Sequence, residues 1–215
     1  MATVTRLFDS HNEALAAVSQ LEMTGITQDK ISIVSNHAEN WHEGHRHPGE
    51  SGAGPLGDRN NDGENDVADG AGKGATTGGI LGAGAGVLAG LGMLAIPGLG
   101  PVVAAGWLAS TAVGAAAGAV AGGATGGLLG ALKEAGHSDE DANVYSEGVR
   151  RGGTVVSVRA DGDEADAVQS ILDGHRGYDA ATRGDVYRQS GWSRFDPNDT
   201  PYSVDQIAAE RARYR

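Results

Sequence analysis

The apolar positions of this chain form ordinary periodic patterns at both ends and an uncharged stretch between them. Near the N-terminus, the β-rich run Thr3–Phe8 predicts one strand, and the run Lys30–Ser35 predicts a second. Between them, Ser10 and Glu13 form a capping-box pair ahead of a helix whose apolar positions share one face. Residues 1–35 are therefore expected to form a β-α-β unit.

A second unit of the same kind is predicted over residues 133–182. Ser138 is followed by three acidic residues, the pattern of a helix N-terminus, and Thr154–Val158 is typical of a buried strand. A further helix and a short strand at 178–180 complete the unit. Two such halves favour an α+β fold, a ferredoxin-like β-α-β…β-α-β sandwich. A tail over residues 183–215 ends in one more helix, which we expect to pack on its own domain.

The central stretch from Gly74 to Leu132 holds 59 residues without one charged side chain and half of the chain's 36 glycines. Most of these glycines recur every fourth residue, and positions i and i+4 share one face of a helix. Stripes of small residues are typical of helices that pack closely in apolar surroundings. We therefore predict a glycine-zipper α-helical hairpin over residues 66–132, with its turn at Ile96–Pro101, that splits the sandwich. The glycines expected to carry the helix packing are Gly74, Gly78, Gly82, Gly86, Gly90, Gly106, Gly114, Gly118, Gly122, Gly126 and Gly130.

The net charge and the lack of cysteine exclude several classes of function. A charge of −12 at neutral pH leaves no basic face for general nucleic-acid binding. Without cysteine the chain forms no disulfide, thiolate metal site or cysteine nucleophile. The first residues lack the order of a signal peptide, so synthesis in the cytoplasm without secretion is expected. The sequence has no nucleophile elbow or phosphate-binding loop, and we predict that the protein is not an enzyme.

The polar linker over residues 36–65, with the first residues after it, holds two candidate metal sites. The histidines occur at spacings that can bind zinc, nickel or copper, and the later aspartates approximate a calcium-binding loop. The twelfth position of that loop is aspartate, where glutamate is usual. We expect a solvated flexible linker and no cofactor, with a bound divalent metal as the alternative. The candidate ligands are His37, His42, His45 and His47 in one group and Asp58, Asn60, Asp62 and Asp69 in the other.

Three segments of the chain resemble a bacterial family. They are Thr3–Ala14, Asp66–Ala75 and Gly136–Val149, together with the turn sequence Pro-Gly-Leu-Gly-Pro that begins at Pro97. Over roughly residues 3–180 they look like the heat-induced, general stress protein 17M-like family. The resemblance implies a bacterial stress-associated protein with no known active site, so it supplies no catalytic residue. The His-rich linker and the aromatic tail lie outside it.

Two functions follow from the uncharged hairpin, because its apolar surface is too large to stay exposed in water. The first is membrane association, in which Ala75–Ile96 crosses a hydrocarbon core of about 30 Å and the domain lies on the cytoplasmic side of the inner membrane. Lys73 and Lys133 flank the base of the hairpin, in agreement with a cytoplasmic base. The alternative is a soluble cytoplasmic homo-oligomer whose hairpins bury one another. A third hypothesis, a small-molecule or metal sensor, rests on fold analogy alone.

Overall fold

The structure is a computed structural model and describes residues 2–38, 92–96, 98–111 and 127–214. In these parts an antiparallel sheet carries helices on both faces, so the predicted α+β class is confirmed. The strands are β1 (Ala2–Phe8), β2 (Ile31–Asn36), β3 (Gly92–Ile96), β4 (Gly100–Ala105) and β5 (Thr154–Ala160). The helices are α1 (His11–Met23), α2 (Leu128–Glu134), α3 (Asp139–Arg150), α4 (Asp163–Gly174), α5 (Ala180–Gln189) and α6 (Val204–Ala212), and Gln28–Lys30 forms a single 3₁₀ turn.

The sheet has the strand order β1-β5-β2-β4-β3, and every neighbouring pair is antiparallel. Strand β5 lies between β1 and β2, with Val158 opposite Val4 on one side and opposite Ile31 on the other. Strands β1 and β2 therefore run in the same direction, connected by α1. On the outer side of β1, Leu7 and Tyr178 exchange main-chain hydrogen bonds of 2.9 and 2.8 Å. This single bridge stands where the sequence predicts a short strand.

Serine residues cap three of the helices and fix where each begins. Ser10 accepts a hydrogen bond from the N–H of Glu13 at the start of α1, and Ser138 accepts one from the N–H of Asp141 at the start of α3. Both caps are confirmed predictions. Ser203 forms a capping box at the start of α6. Each cap satisfies main-chain donors that have no partner within the helix.

The two faces of the sheet bury separate apolar clusters. On one face, α1 and α4 cover side chains of β1, β2 and β5, among them Phe8, Ile33 and Val156. On the other face, α2, α3 and the tail cover a cluster that contains Leu7 and Val34. This second cluster also includes eight apolar residues of the predicted glycine-zipper hairpin, which are Ile96, Leu99, Val102, Ala104, Leu108, Leu128, Ala131 and Leu132. The described segments of the uncharged stretch thus contribute to the domain core.

The predicted helical hairpin is wrong over residues 92–105, where the chain forms the β3–β4 hairpin. Val102 and Val103 are β-branched, and they pair with Asn36 and Ser35 of β2. This pairing with a distant strand overrides the helical spacing of the glycines, because strand formation depends on cross-strand packing. A tight turn does lie where the sequence predicts one, and the N–H of Leu99 there donates to the carbonyl oxygen of Ile96 at 3.0 Å.

The glycines of the predicted stripe have different roles where the structure describes them. Gly106 follows β4 with a φ of +85°, and a Cβ at this position would collide with the carbonyl oxygen of Ile31. Glycine is therefore required for the close approach of two backbones, and not for a helix seam. Gly130 lies within α2. Outside the described residues lie Gly74, Gly78, Gly82, Gly86, Gly90, Gly114, Gly118, Gly122 and Gly126.

The predicted membrane span Ala75–Ile96 is not one helix, because its last five residues form β3. Among the residues described, no helix combines the length and the apolar character needed to cross a membrane. Outside the described segments, the uncharged stretch includes the runs 74–91 and 112–126.

The tail contains a helix, α5, that the hydrophobic pattern does not predict. Asp179 caps this helix by accepting a hydrogen bond of 2.7 Å from the N–H of Thr182. Its Gly184 lies against Val144 of α3, so the contact is made by a residue without a side chain and leaves no apolar stripe. Helix α6 packs on the domain as predicted, with Ile207 fully buried.

Candidate functional site

Of the predicted metal ligands, His37 lies in the described part of the chain. Its side chain is buried, and its N–H donates to the carbonyl oxygen of Pro101 at 2.9 Å. His37 therefore lies directly after β2, held against β4 by this main-chain hydrogen bond. Within residues 2–38, 92–96, 98–111 and 127–214, no three histidine or acidic side chains are grouped so that they could hold a metal ion. The candidates outside the described residues are His42, His45, His47, Asp58, Asn60, Asp62 and Asp69.

The β3–β4 hairpin forms one edge of the sheet, and both of its strands come from the uncharged stretch. Strand β3 is outermost, and no described residue pairs with its outer side. The hairpin is anchored from inside, because Ile96 and Leu99 are buried in the core. Gly127 lies so close to this anchor that a Cβ there would be 2.8 Å from Cγ2 of Ile96. The hairpin thus forms one edge of the sheet, and buried apolar side chains hold it to the domain.

The tail crosses the domain and lies on the turn of this hairpin. Gly98 has a φ of +76°, and a Cβ at this position would lie 2.7 Å from the Cα of Pro197 and 3.0 Å from the ring of Phe195. Phe195 is buried, and its N–H donates to the side-chain oxygen of Asn143 in α3 at 3.1 Å. The tail therefore fastens the turn of the hairpin to α3.

A cluster of charged side chains, here called the tail clasp, joins α6 to the end of α3. Its members are Glu147, Arg150, Arg151 and Glu210. Arg151 connects the two carboxylates, because Nε donates to Glu147 and Nη1 donates to Glu210, each at 2.6 Å. Glu147 also accepts a hydrogen bond of 2.8 Å from Arg150. The side chain of Glu147 is 1% exposed and that of Arg151 is 7% exposed, so each ion depends on its partners for the interactions that water would provide.

Tyrosine rings cover the arginines at this junction. The guanidinium of Arg151 lies 4.2 Å from the ring centre of Tyr187. Arg183 lies between the rings of Tyr178 and Tyr214, at 4.2 and 4.1 Å from their centres. A planar guanidinium on an aromatic face gains a cation–π attraction that strengthens as water is excluded. Since Tyr178 also bridges to β1, these stacks tie the tail to the sheet.

The surroundings shift the pKa values of three groups at the junction. Burial alone would raise the pKa of Glu210, but hydrogen bonds from Tyr214 and Arg151 outweigh this effect and lower it. Burial raises the pKa of Tyr214 to about 12, and its hydrogen bond to Glu210 adds to the rise. Burial also raises the pKa of Asp9, which Arg183 offsets in part. At neutral pH Tyr214 therefore donates and Glu210 accepts, as the attachment of the tail requires.

Two cavities border this region, and neither has the size of a usual small-molecule site. The smaller, of about 10 Å³, lies between Leu7, Arg151 and Tyr187 and has room for one water. The larger, of about 220 Å³, is an open groove lined by Val186 of α5 and Arg213 beyond α6. Pockets that enclose drug-sized ligands measure about 300–1,000 Å³.

A hydrogen-bonded chain of side chains between the sheet and α3 has residue types found in catalytic sites. His137 Nε2 lies 2.8 Å from Thr5 Oγ1, which lies 2.8 Å from Ser157 Oγ. Thr5 and Ser157 are buried opposite one another on β1 and β5, and Tyr145 donates to the carbonyl oxygen of Thr5. Neither of the two cavities is lined by these residues. The arrangement therefore joins the sheet to the segment between α2 and α3.

The tail clasp is the part of this region that the sequence patterns do not indicate. Glu147 and Arg151 are four residues apart, a spacing that is usual for an exposed ion pair on a helix. Nothing local shows that Glu210, 59 residues after Arg151, completes the cluster. The adjacent glycines Gly152 and Gly153 are one signal that the sequence does contain. In the structure, a Cβ on Gly152 would collide with Ile207, and a Cβ on Gly153 would collide with Leu7.

Comparison with known proteins gives no match to this chain among family models, curated proteins or solved structures. The resemblance to the heat-induced, general stress protein family therefore stays a prediction.

Proposed function

We propose that this chain is a non-enzymatic structural protein that associates with copies of itself through its Gly/Ala-rich uncharged runs. The α+β domain is the scaffold to which these runs are attached, and the tail packs on the turn of the β3–β4 hairpin. Its association with stress follows from the family resemblance alone.

The strand order supports a ferredoxin-like scaffold. Strands β1 and β2 are parallel with β5 between them, which is the split β-α-β arrangement. Helices α1 and α4 pack on the same face of the sheet. The bridge at Tyr178 lies beside β1, where a ferredoxin-like sheet has its last strand. The β3–β4 hairpin is then an addition at the opposite edge.

The observation that carries the proposal is the burial of the hairpin residues in the domain core. Ile96, Val102 and Leu108 come before residues 112–126 in the sequence, and Leu128 and Leu132 come after them. All five are buried in the core. The uncharged runs 74–91 and 112–126 are therefore attached at β3 and α2 to a folded domain. Apolar runs of this length need a covering surface, because exposed apolar patches above a few hundred Å² are rare in soluble monomers.

The composition of the runs favours other copies over a bilayer as that covering surface. A helix that crosses a hydrocarbon core needs about 20 apolar residues. Glycine and alanine make up most of both runs, and few large apolar residues are present to favour insertion. Membrane association remains the second candidate, supported by the absence of charge in both runs.

Substitutions at the four-residue glycine spacing test this proposal. Replacement of Gly82, Gly86, Gly118 and Gly122 by leucine should abolish association, because bulky side chains prevent close backbone contact. Replacement of the same four residues by alanine is the matched control and should preserve association, since alanine keeps the surface small. Light scattering gives the mass of each variant, and circular dichroism shows whether the domain is folded. A folded leucine variant with the mass of the native protein would contradict the proposal.

A further inference from the structure

The last part of the tail lies on the surface of the domain and buries few side chains. In residues 195–214, here called the strap, the buried side chains are Phe195, Ile207 and Glu210. An open groove of about 220 Å³ lies between α5 and the strap. Segments with few buried apolar contacts open at a lower free energy than core strands and helices do. The strap therefore depends on a small number of contacts for its place on the domain.

Two consecutive arginines at the end of α3 bind different parts of the strap. Arg150 Nη1 donates to the carbonyl oxygen of Thr200 at 3.3 Å, and its guanidinium lies 4.8 Å from the ring centre of Tyr202. Arg151 is the next residue, and its Nη1 donates to Glu210 of α6 at 2.6 Å. One arginine thus binds the middle of the strap, and the other binds its helix.

A single buried carboxylate orients both arginines. Nε of Arg150 and Nε of Arg151 donate to the two oxygens of Glu147, at 2.8 and 2.6 Å. All three side chains are buried. Without the negative charge of Glu147, the neighbouring cations would lose their shared counter-ion, and water could replace it only if the strap moved away.

The strap also reaches the turn of the β3–β4 hairpin. The N–H of Phe195 donates to a side chain of α3, and Pro197 lies against Gly98 of the turn. Further along, Ile207 lies against Gly152, at the corner between α3 and β5. The strap therefore runs from the hairpin turn to the end of α3.

We propose that the strap opens as one unit from a domain that stays folded, and that Glu147 is the positioning residue that keeps it closed. Opening frees the hairpin turn at Gly98 and admits solvent to the cavity between Leu7 and Arg151, which Glu210 of the strap borders. Every contact in this device lies within one chain, so it goes beyond the self-association proposed above and does not depend on it.

Hydrogen exchange of the full chain, followed by mass spectrometry of its peptides, tests the opening. In the native protein, residues 195–203 and 204–214 should exchange with one shared opening free energy. That free energy should be lower than the one measured for β5, because β5 is buried at the centre of the sheet and is exposed only when the domain unfolds.

A neutral replacement of the buried carboxylate tests the role of Glu147. Glu147→Gln should speed exchange in both parts of the strap by the same factor, at least about tenfold, because both arginines lose their counter-ion. Glu140→Gln is the matched control in the same helix. Glu140 pairs with Arg188, but its side chain is 71% exposed, so exchange in the strap should change by less than about twofold.

Two results would overturn the proposal. Strap peptides with the same opening free energy as β5 would show that they open only when the whole domain unfolds. Faster exchange in one part of the strap without the other would show that the two parts are held separately. If Glu147→Gln does not fold, as judged by circular dichroism, Glu210→Gln replaces it. Loss of this contact to α6 should speed exchange in residues 195–203 as well, and unchanged exchange there contradicts opening as one unit.

Discussion

The Cα of Pro197 lies 2.7 Å from the position that a Cβ on Gly98 would occupy. This contact joins the tail to the turn of the β3–β4 hairpin, although the two are about a hundred residues apart in the sequence. The uncharged hairpin and the aromatic tail are therefore parts of one structural unit. The tail holds the turn of the hairpin against α3.

Replacement of Gly98 by alanine should destabilise the protein by about 3 kcal/mol, through an unfavourable positive φ and a clash with the backbone of Pro197. Gly25 is the matched control, because its φ is +95° and no described atom comes within 4 Å of the position that its Cβ would occupy. Gly25→Ala should cost only about 1 kcal/mol. Urea unfolding gives the free energy of unfolding of both variants. Equal losses of stability in the Gly98 and Gly25 variants would show that the tail leaves room for a Cβ at Gly98.

Removal of the central arginine of the tail clasp should be costly. Arg151→Ala leaves the buried carboxylates of Glu147 and Glu210 without their shared partner, at about 3 kcal/mol. Arg213 pairs with the same Glu210, but its side chain is 64% exposed. Arg213→Ala should therefore cost less than about 1 kcal/mol. The free energy of unfolding of the two variants checks this, and similar values would mean that the clasp is not desolvated in solution.

Stability should fall with pH on the acid side of neutrality because of His137. Burial lowers the pKa of His137, while Asp141 raises it in part, and the groups packed against the ring are Thr5 and Tyr145. The unfolded chain therefore binds this proton more readily than the folded one. The free energy of unfolding should decrease as the pH falls below about 6.5, down to the lowered pKa.

His137→Gln should remove this part of the pH dependence, since glutamine can bond to Thr5 but does not titrate. Unfolding of the native protein and the variant is compared at a series of pH values. Parallel curves would show that the pKa of His137 is the same in the folded and the unfolded states.

Local signals account for the elements that the sequence predicts correctly. The caps at Ser10 and Ser138 and the apolar face of α1 depend only on nearby residues, so they can be recognised without the fold. The β3–β4 hairpin could not be predicted in this way. The spacing of its glycines fits a helix. The segment forms strands because β4 pairs with β2, which is distant in the sequence.

The candidate site was predictable only in part. The uncharged character of the stretch and the turn at Ile96–Pro101 follow from the sequence, and both contribute to the edge. The tail clasp depends on burial of Glu147 and Arg151 by α6, and burial cannot be inferred from the charged residues themselves. Helix α5 was missed because Gly184, its contact with α3, has no side chain.

The central claim is that the uncharged runs hold copies of the chain together. Carbonate-washed cell fractionation, followed by light scattering of the soluble fraction, tests it on the unaltered protein. We predict a soluble protein with a mass at least twice 21.7 kDa. A soluble protein of 21.7 kDa would contradict the claim. Retention in the pellet until detergent is added would also contradict it, and would favour membrane association instead.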